Sequence, residues 1–164
     1  MRMRIMAIDY GDARTGVAVS DETATIAGEA WVIREKSMEA LVKAIVAASV
    51  SRGVSAIVIG YPKNMNGTIG PRAEKSELLS ELLRARMKRL TKSVSGEASE
   101  PQTDEAPGDV EVVLWDERMT TMSAHRILSD TGRYGKKRKD TVDAVAASLI
   151  LEGYLRYRSQ GARD

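Results

Sequence analysis

A chain of 164 residues with 43% apolar content, no Cys and no Phe has to build one core from Val, Ile, Leu, Ala and Met, and its length argues for a single domain over 1–164. The missing cysteines exclude disulfides, thiolate-bound zinc and thiol nucleophiles and fit a reducing cytoplasm. The absence of any run near the ~18 apolar residues of a membrane span, and of a cleavable apolar leader, points to a cytoplasmic protein without a membrane partner. The net charge is only +2.

MRIMAI (3–8) and TGVAVS (15–20) read as strands around a turn at Asp9 to Arg14, and a third strand lies within 25–34. Short connections make these an antiparallel meander. Ser37 reads as an N-cap to a helix carrying Met38, Leu41, Val42, Ile45 and Val46 at helical spacing, with Gly53 as its stop. SAIVIG (55–60) is apolar throughout, as expected of a strand buried on both faces. Pro71 opens the next helix, with Leu78, Leu79, Leu82, Leu83 and Met87 as its apolar face.

Arg84, Arg86, Lys88, Arg89 and Lys92 follow on that helix, and then the sign reverses. Residues 93–109 hold five acids and no Lys or Arg, so the rest of the chain carries +7. Their Ser, Pro, Gly and Glu content predicts a mobile loop. VEVVLW (110–115) resumes as a buried strand, and a short helix is expected from Thr121 to Asp130, ending at Gly132. The last helix is expected from Asp140 to Tyr157, with Val142, Val145, Ala146, Leu149 and Ile150 on one side. The order β-β-β-α-β-α-β-α-α implies an α/β mixed sheet with helices on both faces.

Three acidic positions stand out. Asp9 closes the first strand, Asp116 and Glu117 follow the last one, and Asp143 sits in the expected first turn of the last helix. At about 100° per residue Asp143 shares a face with Ala146, Ala147, Ile150 and Tyr154. A carboxylate on an apolar face needs a partner or a cation. Each acid also has a plainer reading. Asp9 can serve a turn, Asp116 and Glu117 can end a strand beside Arg118, and Asp143 can offset the helix dipole. Taken together, converging carboxylates with a lone His suit a hard cation, Mg²⁺ or Mn²⁺, in metal-dependent phosphodiester hydrolysis. Basic clusters would hold the nucleic-acid backbone, against the reading that they only solvate helix faces.

Lys63 and Asn64 precede the Pro71 helix, where free N–H groups favour an anion, and read as phosphate contacts or as part of an Asn-Gly turn. Arg72 is placed to reach the same phosphate. Lys136, Lys137, Arg138 and Lys139 form either a solvated loop or a backbone clamp near Asp143. His125 has no second His to form a metal motif, and Trp31 and Trp115 are expected to pack on the sheet.

The blocks IDYGDARTGVAVSD (8–21), VIGYPKNMNGTIGPRAEK (58–75), DERMTTMSAHRIL (116–128) and KKRKDTVDAVAASLILEGYL (136–155) resemble the YqgF/RuvX family of Holliday-junction resolvases and pre-16S rRNA nucleases. The resemblance implies an RNase H-like fold with a sheet of order 3-2-1-4-5 and nuclease chemistry at one end of it. Carried over by position, Asp9 matches the first-strand Asp, Glu117 or its neighbour Asp116 falls in the D-E-R element, and Asp143 matches the last-helix Asp. The chain departs from the family in its long acidic 93–109 segment and in Tyr10, which could alter the edge of the metal pocket. AIVIGYP also lacks the fourth-strand acid of related resolvases.

The expected function is metal-dependent cleavage of structured nucleic acid, with branched DNA or pre-rRNA as partner and Arg118 among the substrate contacts. A resolvase would work as a homodimer, an RNA-trimming enzyme as a monomer. The alternative is a non-catalytic nucleic-acid-binding module of the same fold, acting in transcription or ribosome assembly. An ATP-using relative of the actin–Hsp70–sugar-kinase fold would need a second half to enclose its nucleotide.

Overall fold

Alternation within the strands divides the protein into two apolar layers on either side of one sheet. The computed structural model describes residues 3–63, 66–95, 110–116 and 136–161. In chain order these form β1 (Arg4–Asp9), β2 (Thr15–Ser20), β3 (Ala27–Ile33), α1 (Met38–Arg52), β4 (Val54–Tyr61), α2 (Pro71–Ser95), β5 (Glu111–Asp116) and α3 (Lys136–Gly161). The sheet order is β3-β2-β1-β4-β5, with β1–β2 and β2–β3 antiparallel and β1–β4 and β4–β5 parallel. That is the expected mixed sheet. Among the described residues no helix is long and apolar enough to cross a membrane.

Met6, Ile8, Val17, Val19, Ile57, Ile59 and Val112 face α1 and α2. Ile5, Ala7, Ala18, Ala56 and Val58 face α3, where Ala147, Ile150, Leu151 and Leu155 cover them. The first layer is made of large branched residues. The second is rich in alanine, so α3 lies close to the strands. Strands buried on both sides lose their polar outer face, which is why β4 reads as an unbroken apolar run.

α1 begins and ends where its sequence signals stand. The Ser37 hydroxyl accepts from the Ala40 N–H at 3.3 Å, and Gly53 adopts the left-handed conformation (φ 64°) while donating to the Ser49 and Val50 carbonyls.

Other expectations need correction. α2 continues to Ser95, so the first three residues of the expected 93–109 loop are helical, and 96–109 lie outside the described residues. On α2, Leu79, Leu83 and Met87 are buried, whereas Leu78 and Leu82 are 45% and 38% exposed. They sit about 100° around the helix from their neighbours, beyond the stripe that the sheet covers. α3 begins at Lys136 rather than Asp140. Lys and Arg are good helix formers, so a basic run is no reason for a helix to wait. The buried face of α3 is Ala147, Ile150, Leu151 and Leu155, and Val142, Val145, Ala146 and Leu149 are only half-buried. The expected helix from Thr121 to Asp130, with His125, lies outside the described residues.

Candidate active site

Asp9 ends β1, and its neighbours fix the direction of its side chain. Ile8 belongs to the α1/α2 layer and Ala7 to the α3 layer, so period-two alternation turns Asp9 toward α3. Across the antiparallel ladder its partner is Gly16. A Cβ on Gly16 would stand 2.0 Å from the Asp143 carbonyl oxygen and 2.7 Å from its carbonyl carbon. Only a residue without a side chain lets the α3 backbone settle there. Paired residues of an antiparallel ladder have Cα atoms about 4.5–5.5 Å apart, so the Asp143 backbone rests on the immediate neighbour of Asp9. Two of the three acidic positions thus meet at one end of the sheet.

The early start of α3 also removes one of the plainer readings. Asp143 lies about two turns inside a helix that begins at Lys136 and has no acid in its first turn. The dipole's favourable effect on an acid fades beyond the first turn. Asp143 shares its face with Ala147 and Ile150 in the buried layer and with Tyr154 packed against it, as the spacing predicts. Its Oδ2 lies 3.4 Å from Arg14 Nε.

The turn between β1 and β2 is held from both flanks. Arg72, at the start of α2, donates to the Tyr10 carbonyl at 2.9 Å, and Lys75 one turn on pairs with Asp12. This pairing lowers the Asp12 pKa and raises that of Lys75, in each case through the mutual hydrogen bond first. Tyr10 donates to Asp12 Oδ1 at 3.2 Å, and burial followed by that carboxylate pushes its phenol up. Tyr10 sits in the α1/α2 layer, on the opposite side of the strand from Asp9. It does not shape the edge of the Asp9–Asp143 site, contrary to expectation. Arg72, expected at phosphate, spends one of its donors on the turn.

β5 brings Asp116 to the same end of the sheet, in register with Tyr61 of β4. Trp115 packs on the α3 layer, 5.6 Å from the Tyr154 ring and 5.3 Å from that of Tyr157. Leu114 belongs to the other layer, so alternation gives Asp116 to the α2 side, away from Asp143. Tyr61 donates to Glu77 of α2, and that hydrogen bond, more than burial, pushes its pKa to about 12. Lys63 follows in a tight turn, its N–H on the Tyr61 carbonyl at 3.0 Å and its ammonium 5.5 Å from the Tyr61 ring centre.

Trp31 lies under the Arg52 guanidinium at 4.2 Å, and Arg52 pairs with Glu29, so both tryptophans pack as expected. Arg84 donates to the Val112 carbonyl at 2.9 Å, which gives one member of the first basic cluster an internal task. Lys136, Lys137, Arg138 and Lys139 form the first turn of α3 rather than a loop. Asn64, Glu117 and Arg118 lie outside the described residues. Among the described residues no three acids or histidines form a ready metal cluster. Sequence reading missed Gly16, Arg14 and Lys75. A glycine inside a strand is a known sign of close backbone approach, and Gly16 carried that sign.

The chain is similar to known proteins over most of its length. A relative from Halothermothrix orenii named "Putative pre-16S rRNA nuclease" is 38% identical over 158 residues, covering 96% of this chain and 98% of its own. One of the same name from Ruminiclostridium cellulolyticum is 41% identical over 156 residues, covering 93% and 94%. Among solved structures, Thermus thermophilus RuvC in complex with a Holliday junction substrate superposes with a TM-score of 0.54 at 11% identity, covering 96% of each chain. The yeast mitochondrial Holliday junction resolvase Ydc2 gives 0.51 at 12%, covering 95% of this chain and 81% of its own. These structures share the fold, a mixed RNase H-like sheet flanked by helices. The family model of RuvX, described as Holliday junction resolvase, matches residues 3–157, and the chain belongs to the RuvX family.

Proposed function

We propose that this protein is a cytoplasmic nuclease that cleaves phosphodiester bonds in structured nucleic acid with Mg²⁺ or Mn²⁺ held by Asp9, Glu117 and Asp143. The observation that carries the reading is the seating of α3 on Gly16, which brings Asp143 to the strand beside Asp9. Oxygen donors without thiolate or imidazole suit a hard divalent ion, so the residues present fit the group. Such an ion, when bound, activates water and stabilises charge on the phosphate undergoing attack. Glu117 is preferred to Asp116 because alternation along β5 gives Asp116 to the α2 side. Lys63 and Asn64, beyond the end of β4, and Arg118 bind the phosphates of the substrate. Lys136, Lys137, Arg138 and Lys139, ahead of Asp143 on α3, orient the strand. Arg72 holds the β1–β2 turn with one donor and offers the others to the same phosphates.

The names of the close relatives favour precursor 16S rRNA, trimmed at its 5′ end, as substrate, and the family description adds the four-way DNA junction. A monomer suffices for trimming an RNA end, whereas symmetric junction cleavage takes a homodimer. The test is Mn²⁺-supported cleavage of both substrates side by side, by wild type and Asp9→Asn, with EDTA as control. The expected result is rRNA cleavage that disappears in the variant and with EDTA. Cleavage of the junction alone would reassign the substrate. Binding of both without cleavage would make the protein a non-catalytic nucleic-acid-binding module.

A further inference from the structure

Arg14 and Asp143 meet across two elements whose backbones are fixed independently. Arg14 closes the β1–β2 turn, where the Arg14 carbonyl lies so near Gly11 that a Cβ there would be 2.1 Å away. The α3 backbone at Asp143 is set by its seat on Gly16. The guanidinium Nε lies 3.4 Å from Asp143 Oδ2, with the side chains 29% and 23% exposed. A fixed cation at a carboxylate repels a divalent ion seeking the same oxygen, and in a partly shielded environment that repulsion is stronger than in water.

We propose that Arg14 is a positioning residue that holds Asp143 in the metal-free protein and exchanges with the divalent ion, so that it sets the metal affinity of the site. The inference rests on the metal site proposed above. Once displaced, the guanidinium has the planar fork of donors that fits a phosphate. A nucleic-acid phosphate that engages Arg14 frees the Asp143 carboxylate, and by linkage the metal and the nucleic acid each tighten the binding of the other. The site is therefore weak for metal alone and fills when substrate arrives.

The test measures binding of Mn²⁺ alone to the full chain, by electron paramagnetic resonance of the free ion, for wild type, Arg14→Gln, Arg14→Lys and Asp143→Asn. The titrations are repeated with a phosphorothioate single-stranded oligonucleotide. The expected result is Mn²⁺ affinity at least about fivefold tighter in Arg14→Gln and within about twofold of wild type in Arg14→Lys. The oligonucleotide should tighten Mn²⁺ binding in wild type and leave Arg14→Gln unchanged. Thermal melts run alongside identify a purely structural role, which would lower the melting temperature of Arg14→Gln without tightening Mn²⁺. That result overturns the proposal. Equal affinity in wild type and Arg14→Gln, with Asp143→Asn weakened, overturns the exchange and leaves the metal site standing. Failure of every form to bind Mn²⁺ overturns both.

Discussion

Gly16 and Asp143 are joined through their backbones: a side-chain carbon on Gly16 would lie 2.0 Å from the Asp143 carbonyl oxygen, and Gly16 is itself the ladder partner of Asp9. The obstacle is main chain on a packed helix, which cannot rotate aside as a side chain can. Gly16→Ala should therefore push α3 outward at Asp143, costing about 1–3 kcal/mol and most of the cleavage activity. Urea unfolding and a cleavage assay read the two effects, and activity should remain low under conditions where the variant is fully folded.

Loss of charge without loss of shape should separate chemistry from folding. Asp9→Asn and Asp143→Asn keep side-chain volume, so each should stay folded while cleavage falls by at least about 100-fold. Circular dichroism melts beside the cleavage assay check both halves of this expectation.

Arg72 gives a way to tell a turn-holding residue from a phosphate contact. Its guanidinium donates to the Tyr10 carbonyl at 2.9 Å. Arg72→Ala should lower stability by about 1 kcal/mol in the absence of any nucleic acid. A residue serving only phosphate would leave the melting temperature of the free protein unchanged.

Two leucines a turn apart should respond very differently. Leu79 is fully buried and Leu82 is 38% exposed. Leu79→Ala should cost about 2–5 kcal/mol, and Leu82→Ala no more than about 0.5–1 kcal/mol. Urea denaturation of the two variants maps the buried stripe of α2 directly.

Asp21 should make the protein acid-sensitive. Its carboxylate accepts from the Thr23 hydroxyl and from the N–H groups of Ile26 and Thr25 at 3.0 and 2.8 Å, which hold its pKa far below the ordinary 3.8. With the folded pKa below the unfolded one, the contribution to stability is complete above the unfolded value and fades as pH falls beneath it. Melting temperature followed from pH 6 downward should drop less steeply below about pH 4 in Asp21→Asn than in wild type.

The legible parts of this chain are those where a local signal and a tertiary need coincide. Ser37 and Gly53 bound α1 as their chemistry dictates, and β4, apolar apart from Ser55, is buried on both sides because it stands between two covered faces. The start of α3 is not legible in the sequence because Lys136 to Lys139, ahead of Asp140, continue a helix without strain. The exposure of Leu78 and Leu82 depends on how wide a stripe the neighbouring strands cover, a quantity that spacing within α2 does not contain. At the site, the positions of Asp9 and Asp143 in the chain were readable. The contact that unites them was not, because it runs from a glycine to a helix backbone more than a hundred residues away. The facing of Asp116 needed the observed ladder, since a shift of one residue in where a strand begins reverses every side chain on it.

The two layers offer unequal room for change. On the α1/α2 side, large residues such as Ile8, Ile57, Leu79 and Leu83 form a core that can be rearranged in concert at constant volume. On the α3 side, Ala7, Ala18, Ala56 and Ala147 are buried between the sheet and the helix that carries Asp143, so larger side chains there press on that helix. Efforts to raise the thermal tolerance of this nuclease family member should thus be aimed at the first side, where gains in packing leave the carboxylate geometry untouched. Variation on the second side becomes a dial for the site itself.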